Sequence, residues 1–229
     1  MIPLSIIIPA LNEATHIATF LQHLAPLRAD GAQVIVVDGG SSDATPALAQ
    51  PLAGAVICAP RGRATQMNAG ARSARGNVLL FLHADSRVPQ GSAQLILDGL
   101  AQSGRLWGRF DVRIEGQHRL LPVIAWFMNL RSRLTGIATG DQGIFVSREA
   151  FEHCGGFPEI ALMEDIALCK ALGKLGPPLC LRARIATSGR RWEKHGALRT
   201  ILLMWRLRLA YFFGADPARL AKIYYGQNS

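Results

Sequence analysis

Four short apolar runs, each followed by a turn and a helical segment, dominate the first half of this 229-residue chain. The runs lie at residues 4–9, 34–38, 55–58 and 76–85 and are rich in Val, Ile and Leu, a composition typical of strands buried on both faces of a parallel sheet. Parallel neighbours need crossover connections, which are almost always right-handed. The alternation therefore predicts an α/β fold whose first half is Rossmann-like.

The second half of the chain is less regular. Residues 107–115 alternate polar and apolar side chains, the pattern of a half-exposed strand. A further strand is expected after the turn at 140–143, and a last one near 179–186. Residues 197–225 are basic, rich in aromatic side chains and predicted to be helical. We expect a mixed, mostly parallel sheet flanked by helices, with a helical tail at the C-terminus.

Charge and cysteine usage restrict the partners and the compartment. The 25 Lys and Arg residues exceed the 16 acids, which gives a net charge of +9 and favours anionic partners such as nucleotides or an anionic membrane surface. No nucleic-acid-binding motif accompanies this charge, so we expect no nucleic-acid partner. The four cysteines form no CxxC pair, which argues against a zinc site and fits a reducing cytoplasm. We expect neither a signal peptide nor a membrane span.

Three acidic side chains end or follow predicted strands: Glu13, Asp38 and Asp85. The carboxyl ends of parallel strands share one edge of a sheet, where ligands bind. Asp38 can accept hydrogen bonds from a base or a ribose there, and Asp85 can hold a divalent metal against a phosphate. The alternative is that each acid only caps its own loop.

Basic side chains and missing motifs narrow the kind of nucleotide site. Arg61 and Arg63 stand at the start of a predicted helix, where they can neutralise phosphate charge together with the helix N-terminus. Neither GxGxxG nor GxxxxGK[ST] occurs after the first strand. The usual dinucleotide site and the P-loop are therefore not expected.

A second acidic site, Glu164 and Asp165, lies at the start of a predicted helix far downstream. The helix dipole favours a carboxylate at this position and is expected to lower its pKa. Two interpretations remain open from the residues alone. The pair either caps the helix or supplies a general base.

A third cluster contains Arg190, Arg191, Trp192 and His195. Two arginines beside a tryptophan suit phosphate pairing and stacking, although a solvated basic loop has the same composition. His195 is either a late metal ligand or an ordinary loop residue.

Taken together, these motifs resemble glycosyltransferase family 2, of the GT-A fold. The motifs follow the family's order and spacing from residue 4 to about 176, at 9–13 (PALNE), 36–43 (VVDGGSSD), 68–70 (NAG), 76–85, 140–146, 155–157 (GGF) and 164–165 (ED). The finer pattern at 62–64 (GRA), 83–85 (HAD) and 140–142 (GDQ) is similar to a subgroup of small bacterial members with poorly defined acceptors.

The resemblance implies an inverting transfer of a sugar from a nucleotide-diphospho-sugar, of UDP or GDP type, to a hydroxyl acceptor. Asp165, with Glu164 beside it, would take the acceptor's proton, and a Mg or Mn ion would bridge the diphosphate and Asp85. Further candidate metal ligands are His83 and His195. The implied donor-binding residues are Pro9, Asn12, Glu13, Asp38, Arg63, Asn68 and Ala84, and the implied acceptor-binding residues are Asp141, Gln142, Arg191 and Trp192.

The resemblance also implies one domain over residues 1–229. It divides into a nucleotide-sugar-binding half at 1–104, an acceptor and catalytic half at 105–196, and a basic amphipathic helical tail at 197–229.

Two departures from the family pattern affect these expectations. His83 stands where the family usually has an acid, which weakens a site for a hard cation although histidine can still coordinate manganese. Residues 188–192 (SGRRW) lack the Gln of processive members, so we do not expect a processive polymer synthase.

The acceptor is the least constrained part of the prediction. The apolar segments 120–128 and 201–205 are flanked by arginines, a pattern that suits an anionic membrane surface and a lipid-linked acceptor. The expected location is therefore cytoplasmic and peripheral, at the inner face of the membrane. Packing of these helices on each other, or a homodimer, is the alternative.

Two other functions compete with sugar transfer. A sugar-nucleotide pyrophosphorylase would need a glycine-rich basic stretch after the first strand, which residues 9–13 do not provide. A non-catalytic nucleotide-sugar-binding protein stays open because of His83.

Overall fold

The computed structural model describes residues 3–226, and the Arg191 side chain falls outside that description. Within these residues the elements are β1 (Leu4–Ala10), α1 (Ile17–His23), α2 (Ala25–Ala29), β2 (Gln33–Asp38), α3 (Thr45–Ala49), β3 (Ala55–Cys58), α4 (Arg63–Ser73), β4 (Val78–Phe81), α5 (Ser92–Ser103), β5 (Trp107–Glu115), α6 (Leu121–Thr135), a 3₁₀ turn (Gly140–Gln142), β6 (Ile144–Ser147), α7 (Arg148–His153), α8 (Glu164–Gly173), β7 (Leu179–Ser188), α9 (Arg190–His195), α10 (Ala197–Phe212) and α11 (Pro217–Gly226).

The seven strands form one sheet in the order β3-β2-β1-β4-β6-β5-β7. Six of them point the same way, because β6 alone is antiparallel to its neighbours β4 and β5. The predicted mixed, mostly parallel sheet and the helical C-terminus are therefore confirmed. Strands from both predicted halves of the chain take part in this one sheet.

Each face of the sheet is covered by its own apolar cluster. Ile6 and Ile8 of β1 point towards the side of α1 and α5, whereas Ile7 points to the opposite side, where α4, α7 and α8 pack. Successive side chains of a strand alternate between faces, so a run of consecutive branched residues fits a strand that is covered on both sides. Because helices cover both faces of the sheet, a ligand can reach it only at the two ends of the strands.

β5 is more deeply buried than its sequence pattern predicts. It lies between β6 and β7, and Arg113 is its one exposed residue. Arg109 is fully buried and Asp111 is 9% exposed, because both pair on this face with each other and, through Asp111, with Arg133 of α6. The prediction of a half-exposed strand is wrong, since Arg109 and Asp111 face α6 rather than solvent.

Gly70 of α4 allows this helix to approach the sheet closely. A Cβ atom at this position would collide with the Ile7 side chain and would lie 3.0 Å from Cγ2 of Val37. We expect Gly70→Ala to lower the free energy of unfolding by about 1–3 kcal/mol, measured by urea denaturation, because overpacking a core displaces its neighbours.

The matched control for this change is Gly173→Ala in α8, where an added Cβ would meet nothing within 4 Å. It should be neutral or stabilising by up to about 1 kcal/mol. Equal effects of the two substitutions would show that α4 does not need the close approach.

Candidate active site

The candidate site lies at the carboxyl edge of the sheet. β1, β2 and β4 are parallel and end at this edge, with Ala10 paired to Asp38 at its margin. β6 runs the opposite way, so the 3₁₀ turn Gly140–Gln142 that precedes it arrives at the same edge. Acidic segments that are far apart in the sequence are brought together there.

The loops after β1 and β2 hold each other through side-chain hydrogen bonds. Asn12 has a left-handed backbone (φ 55°), and its Oδ1 accepts from the backbone N–H of Ser42 at 2.9 Å. Asp38 is 3% exposed, and its Oδ2 accepts from the N–H groups of Gly40 and Ser41 at 3.0 Å each. These contacts match the loop-capping alternative, and the donor-binding roles of Asn12 and Asp38 stay predictions.

Glu13 and Asp85 form an acidic pair at this edge. Burial, followed by the charge of Asp85, raises the pKa of Glu13 above its ordinary value. Asp85 is exposed just beyond β4. Two neighbouring carboxylates favour a hard divalent cation, and magnesium typically takes one or two carboxylates and completes its shell with water and substrate phosphates. The chemistry of these two carboxylates suits such an ion, and the metal role of Asp85 stays a prediction.

The two histidines predicted as metal ligands lie in different surroundings. His83 packs against Gly140, with its Nδ1 at 3.4 Å from Oδ1 of Asp141. His195 ends α9 and is half-buried. Between residues 3 and 226, neither belongs to a group of three or more His, Cys, Asp or Glu side chains that could hold an ion. Their ligand roles stay predictions.

Asp165 is held in place by a special turn at the start of α8. Met163, the residue just before α8, has a left-handed backbone (φ 72°), which is uncommon outside glycine and asparagine. Oδ2 of Asp165 accepts from the N–H of Gly140 at 3.1 Å, and Oδ1 from the N–H of Ile166 at 2.7 Å. The bond from Gly140 ties α8 to the turn before β6, and the bond from Ile166 holds the carboxylate against the first turn of α8.

The electrostatic surroundings of Asp165 differ from the expectation based on the helix dipole. Burial and the neighbouring Glu164 raise the pKa of Asp165 to about 6, against an ordinary value of 3.8. The predicted lowering is wrong, because burial and a like charge outweigh the two backbone hydrogen bonds. A carboxylate with this pKa is well matched to proton transfer near neutral pH.

A cleft opens in front of this acid. It is lined by Arg63, Met67, Phe81, His83, Gly140, Ile144, Phe157, Glu164 and Asp165. Burial disfavours the Arg63 cation, but Tyr225 and the nearby carboxylates, Glu164 first among them, hold the pKa of Arg63 above its ordinary value. The cleft therefore combines a fixed positive charge with a carboxylate that can take up a proton.

Two side-chain amides at this edge, those of Asn68 and Gln142, hold neighbouring segments together. Asn68 pairs with the backbone of Phe157, donating to its oxygen at 2.8 Å and accepting from its nitrogen at 2.9 Å. Gln142 is fully buried and donates to Oγ of Ser132 in α6 at 3.1 Å. Donor contact by Asn68 and acceptor contact by Gln142 stay predictions.

The other predicted site residues take varied positions around the cleft. Pro9 pairs with β2, Ala84 is buried beyond β4, and Asp141 lies beside His83. Trp192 packs against the cluster between β5 and α6, and the side chain of Arg191 lies outside the described residues.

Three residues at the site were not found by sequence reasoning. Gln66 donates to the backbone oxygens of Ala10 and Val37 at 2.9 and 2.8 Å, which fixes the ends of β1 and β2 to α4. Arg131 of α6 lies near Asp165, and Tyr225 of α11 lies near Arg63. A glutamine between the 62–64 and 68–70 motifs was a possible signal for the first, whereas no local signal marks the other two.

The fold is that of GT-A glycosyltransferases. TarS from S. aureus, solved in complex with UDP-GlcNAc, superimposes with a TM-score of 0.66 at 17% identity, over 81% of this chain and 58% of that chain. Mannosyltransferase PcManGT from Pyrobaculum calidifontis, in complex with GDP-Man and Mn2+, gives 0.62 at 22% identity, over 90% and 60% of the two chains.

The chain belongs to glycosyl transferase family 2, whose sequence model matches residues 5–155. The curated beta-monoglucosyldiacylglycerol synthase of Trichormus variabilis is 27% identical in an alignment of 187 residues that covers 72% of this chain. The chain spans 40% of that relative's length. The predicted family and fold are confirmed.

Proposed function

We propose that this protein is an inverting glycosyltransferase that moves a sugar from a nucleotide-diphospho-sugar to a hydroxyl acceptor. The observation that carries the proposal is Asp165, a partly buried carboxylate with a pKa of about 6 that faces a cleft shared with Arg63. UDP-GlcNAc and GDP-Man in the two similar structures support a donor of UDP or GDP type.

The donor is proposed to lie along the carboxyl edge of the sheet. Its nucleotide would contact the loops after β1 and β2, and its diphosphate would face Asp85 and Glu13. A bound Mg or Mn ion would offset the charge of the departing diphosphate, and Mn2+ in the PcManGT complex supports this proposal. Arg63, at the first turn of α4, would add a positive charge from the protein itself.

In the proposed reaction Asp165 acts as the general base. It takes the proton from the acceptor hydroxyl while the oxygen bonds to the anomeric carbon and the bond from that carbon to the diphosphate breaks. Attack from the side opposite the leaving group inverts the anomeric centre. The backbone hydrogen bonds from Gly140 and Ile166 fix the orientation of the carboxylate during this step.

A lipid-linked acceptor fits this chain better than a soluble one. The Trichormus relative, by its name a synthase of a glucosylated diacylglycerol, supports such an acceptor, as does the strongly positive net charge of +9. Cytoplasmic location at the inner face of the membrane remains part of the proposal, and a homodimer remains its alternative. Among residues 3–226, no helix is both long enough and apolar enough to cross a bilayer.

Thermal unfolding with UDP and GDP, with and without Mn2+, tests the donor and metal parts of the proposal. Saturation with the correct nucleotide and Mn2+ should raise Tm by about 5 °C. In Asp85→Asn the part of the Tm increase that depends on Mn2+ should be lost. Asp30 is an exposed acid before β2, at the opposite edge of the sheet, and Asp30→Asn should keep the full Tm increase. No stabilisation by either nucleotide would contradict the proposed site.

A further inference from the structure

The strongest feature that the catalytic proposal leaves unused is an apolar surface on two helices. On α10, five side chains spaced by four and three residues are 60–72% exposed: Leu198, Leu202, Trp205, Leu209 and Phe212. On α6, another five are 37–77% exposed: Val123, Trp126, Phe127, Leu130 and Leu134. We call these ten residues the outer face. Exposed apolar groups of this size mark an interaction surface.

The two helices that carry the outer face are linked through one apolar cluster. Ile124 and Ala125 of α6 share an apolar cluster with Ala197 and Ile201 of α10. The outer face therefore has one part on each of two helices that share a buried cluster.

The two segments that carry the outer face contain basic residues but no acids. No acidic residue occurs at positions 116–140 or 194–215, whereas Arg119, Lys194, Arg199 and Arg206 are exposed there; Arg133 is paired with Asp111. A basic rim around exposed Trp, Phe and Leu side chains is typical of helices that lie in the interface of an anionic bilayer.

A second copy of the chain fits the outer face less well. In a two-fold interface the same patch meets itself, so two rims of like charge would be brought together. Neither segment, 116–140 or 194–215, contains a carboxylate that could pair with the arginines of the other copy. An anionic lipid surface supplies the missing negative charge.

The inner side of α10 contacts the catalytic segment. Leu207 is buried in one cluster with Leu162, Met163 and Ile166, the residues that surround Glu164 and Asp165. A helix with its side chains is about 10 Å thick, so a surface on the outer side of α10 lies about that far from the catalytic turn. The acceptor head group of a membrane lipid would be within reach of the cleft.

We propose that the outer face docks in the plane of an anionic membrane and presents the cleft to a lipid-borne hydroxyl acceptor. This inference rests on the proposed function for the identity of the acceptor, but the docking itself does not depend on catalysis. The orientation follows from α10, which has the bilayer on one side and the catalytic turn on the other.

Vesicle flotation of the full chain at low salt tests the docking. The wild-type protein should float with phosphatidylcholine vesicles that contain about 30% phosphatidylglycerol and should stay unbound with pure phosphatidylcholine. The double variant L202S/W205S should bind at least about ten-fold more weakly, since it removes two large apolar anchors. The double variant R199Q/R206Q should lose about five-fold per arginine, because each one near the surface contributes that much.

Matched controls use similar residues elsewhere on the surface. L95S/L106S removes two leucines that are 41% and 42% exposed, and R72Q/R75Q removes two exposed arginines of α4 and the following loop. Both controls should float like the wild type. UDP binding, measured separately by thermal shift, should be unchanged in all four variants, so a failure of docking is distinguishable from a failure of the donor site.

Three results would overturn the inference. The first is wild-type protein that does not bind anionic vesicles at low salt. The second is equal binding of L202S/W205S and its control. The third is a stable dimer in size-exclusion chromatography that dissociates in L202S/W205S, which would assign the outer face to a second copy instead.

Discussion

Replacing Asp165 with Asn should reduce kcat/KM for sugar transfer by about a thousand-fold, the typical contribution of a positioned general base. Asparagine keeps the size and the hydrogen-bond acceptor that faces Gly140, but it cannot take a proton from the acceptor. Donor binding, measured by UDP-induced thermal stabilisation, should survive. Initial rates with a radiolabelled donor would give the loss.

The pH dependence of the wild-type protein tests the same assignment. Asp165 must be ionised to act as a base, so kcat/KM should rise with pH and reach half its maximum near pH 6. Between about pH 4 and 6 the folded chain holds a proton that the unfolded chain has lost, so this group's contribution to stability falls as the pH rises.

A matched acid controls for unspecific charge effects. Glu159 is exposed and lies in the connection before α8, so Glu159→Gln should retain wild-type rates. Asp165→Asn with an intact rate and an unchanged acidic limb would rule out Asp165 as the base. That result would leave the proposed donor site standing, with a sugar nucleotide bound there but no proton transfer by Asp165.

Replacing Asp111 with Ala should lower the free energy of unfolding by about 3–5 kcal/mol, because it leaves a buried charge without its partner. Arg109 is fully buried in β5 and pairs with Asp111, which also accepts from Arg133 at 2.7 and 2.8 Å. Removal of the carboxylate leaves two guanidinium groups facing each other. Urea denaturation monitored by tryptophan fluorescence would measure the change.

Glu115 provides the matched comparison on the same strand. It pairs with Arg87 and Arg113, but its side chain is 36% exposed and both arginines are at least half exposed. Solvent screens such pairs, so Glu115→Ala should cost less than about 1 kcal/mol. Similar losses in the two variants would mean that the pairs of Asp111 are no better shielded from water than those of Glu115.

Much of the architecture was predictable because its signals are local. Consecutive branched residues at 4–9 and 34–38 indicate strands covered on both faces, and the segments between them carry turn residues. The predicted strand at 55–58 matches β3 residue for residue, and the 68–70 motif falls within α4, with Gly62 of the 62–64 motif as its N-cap. The family match at 5–155 covers these signals but ends before Asp165.

The roles of polar residues were less predictable because they depend on distant partners. Both polar atoms of the Asn68 side-chain amide bind the backbone of Phe157, 89 residues away, and its donor contact stays a prediction. The alternation in β5 is typical of a strand with one face in solvent, yet α6 covers Arg109 and Asp111 on that face. No spacing rule within one segment reveals which later segment will pack against it.

The sequence by itself determined the order of strands and helices, the family and the placement of acids at strand ends. Only the tertiary structure decided that Asp165 has a raised pKa and that β5 is buried. It also decided that the inner side of α10 packs against the residues around Asp165. The physical reason is that periodicity and propensity act over a few residues. Burial, dielectric surroundings and neighbouring charges are set by segments that meet only when the chain has folded.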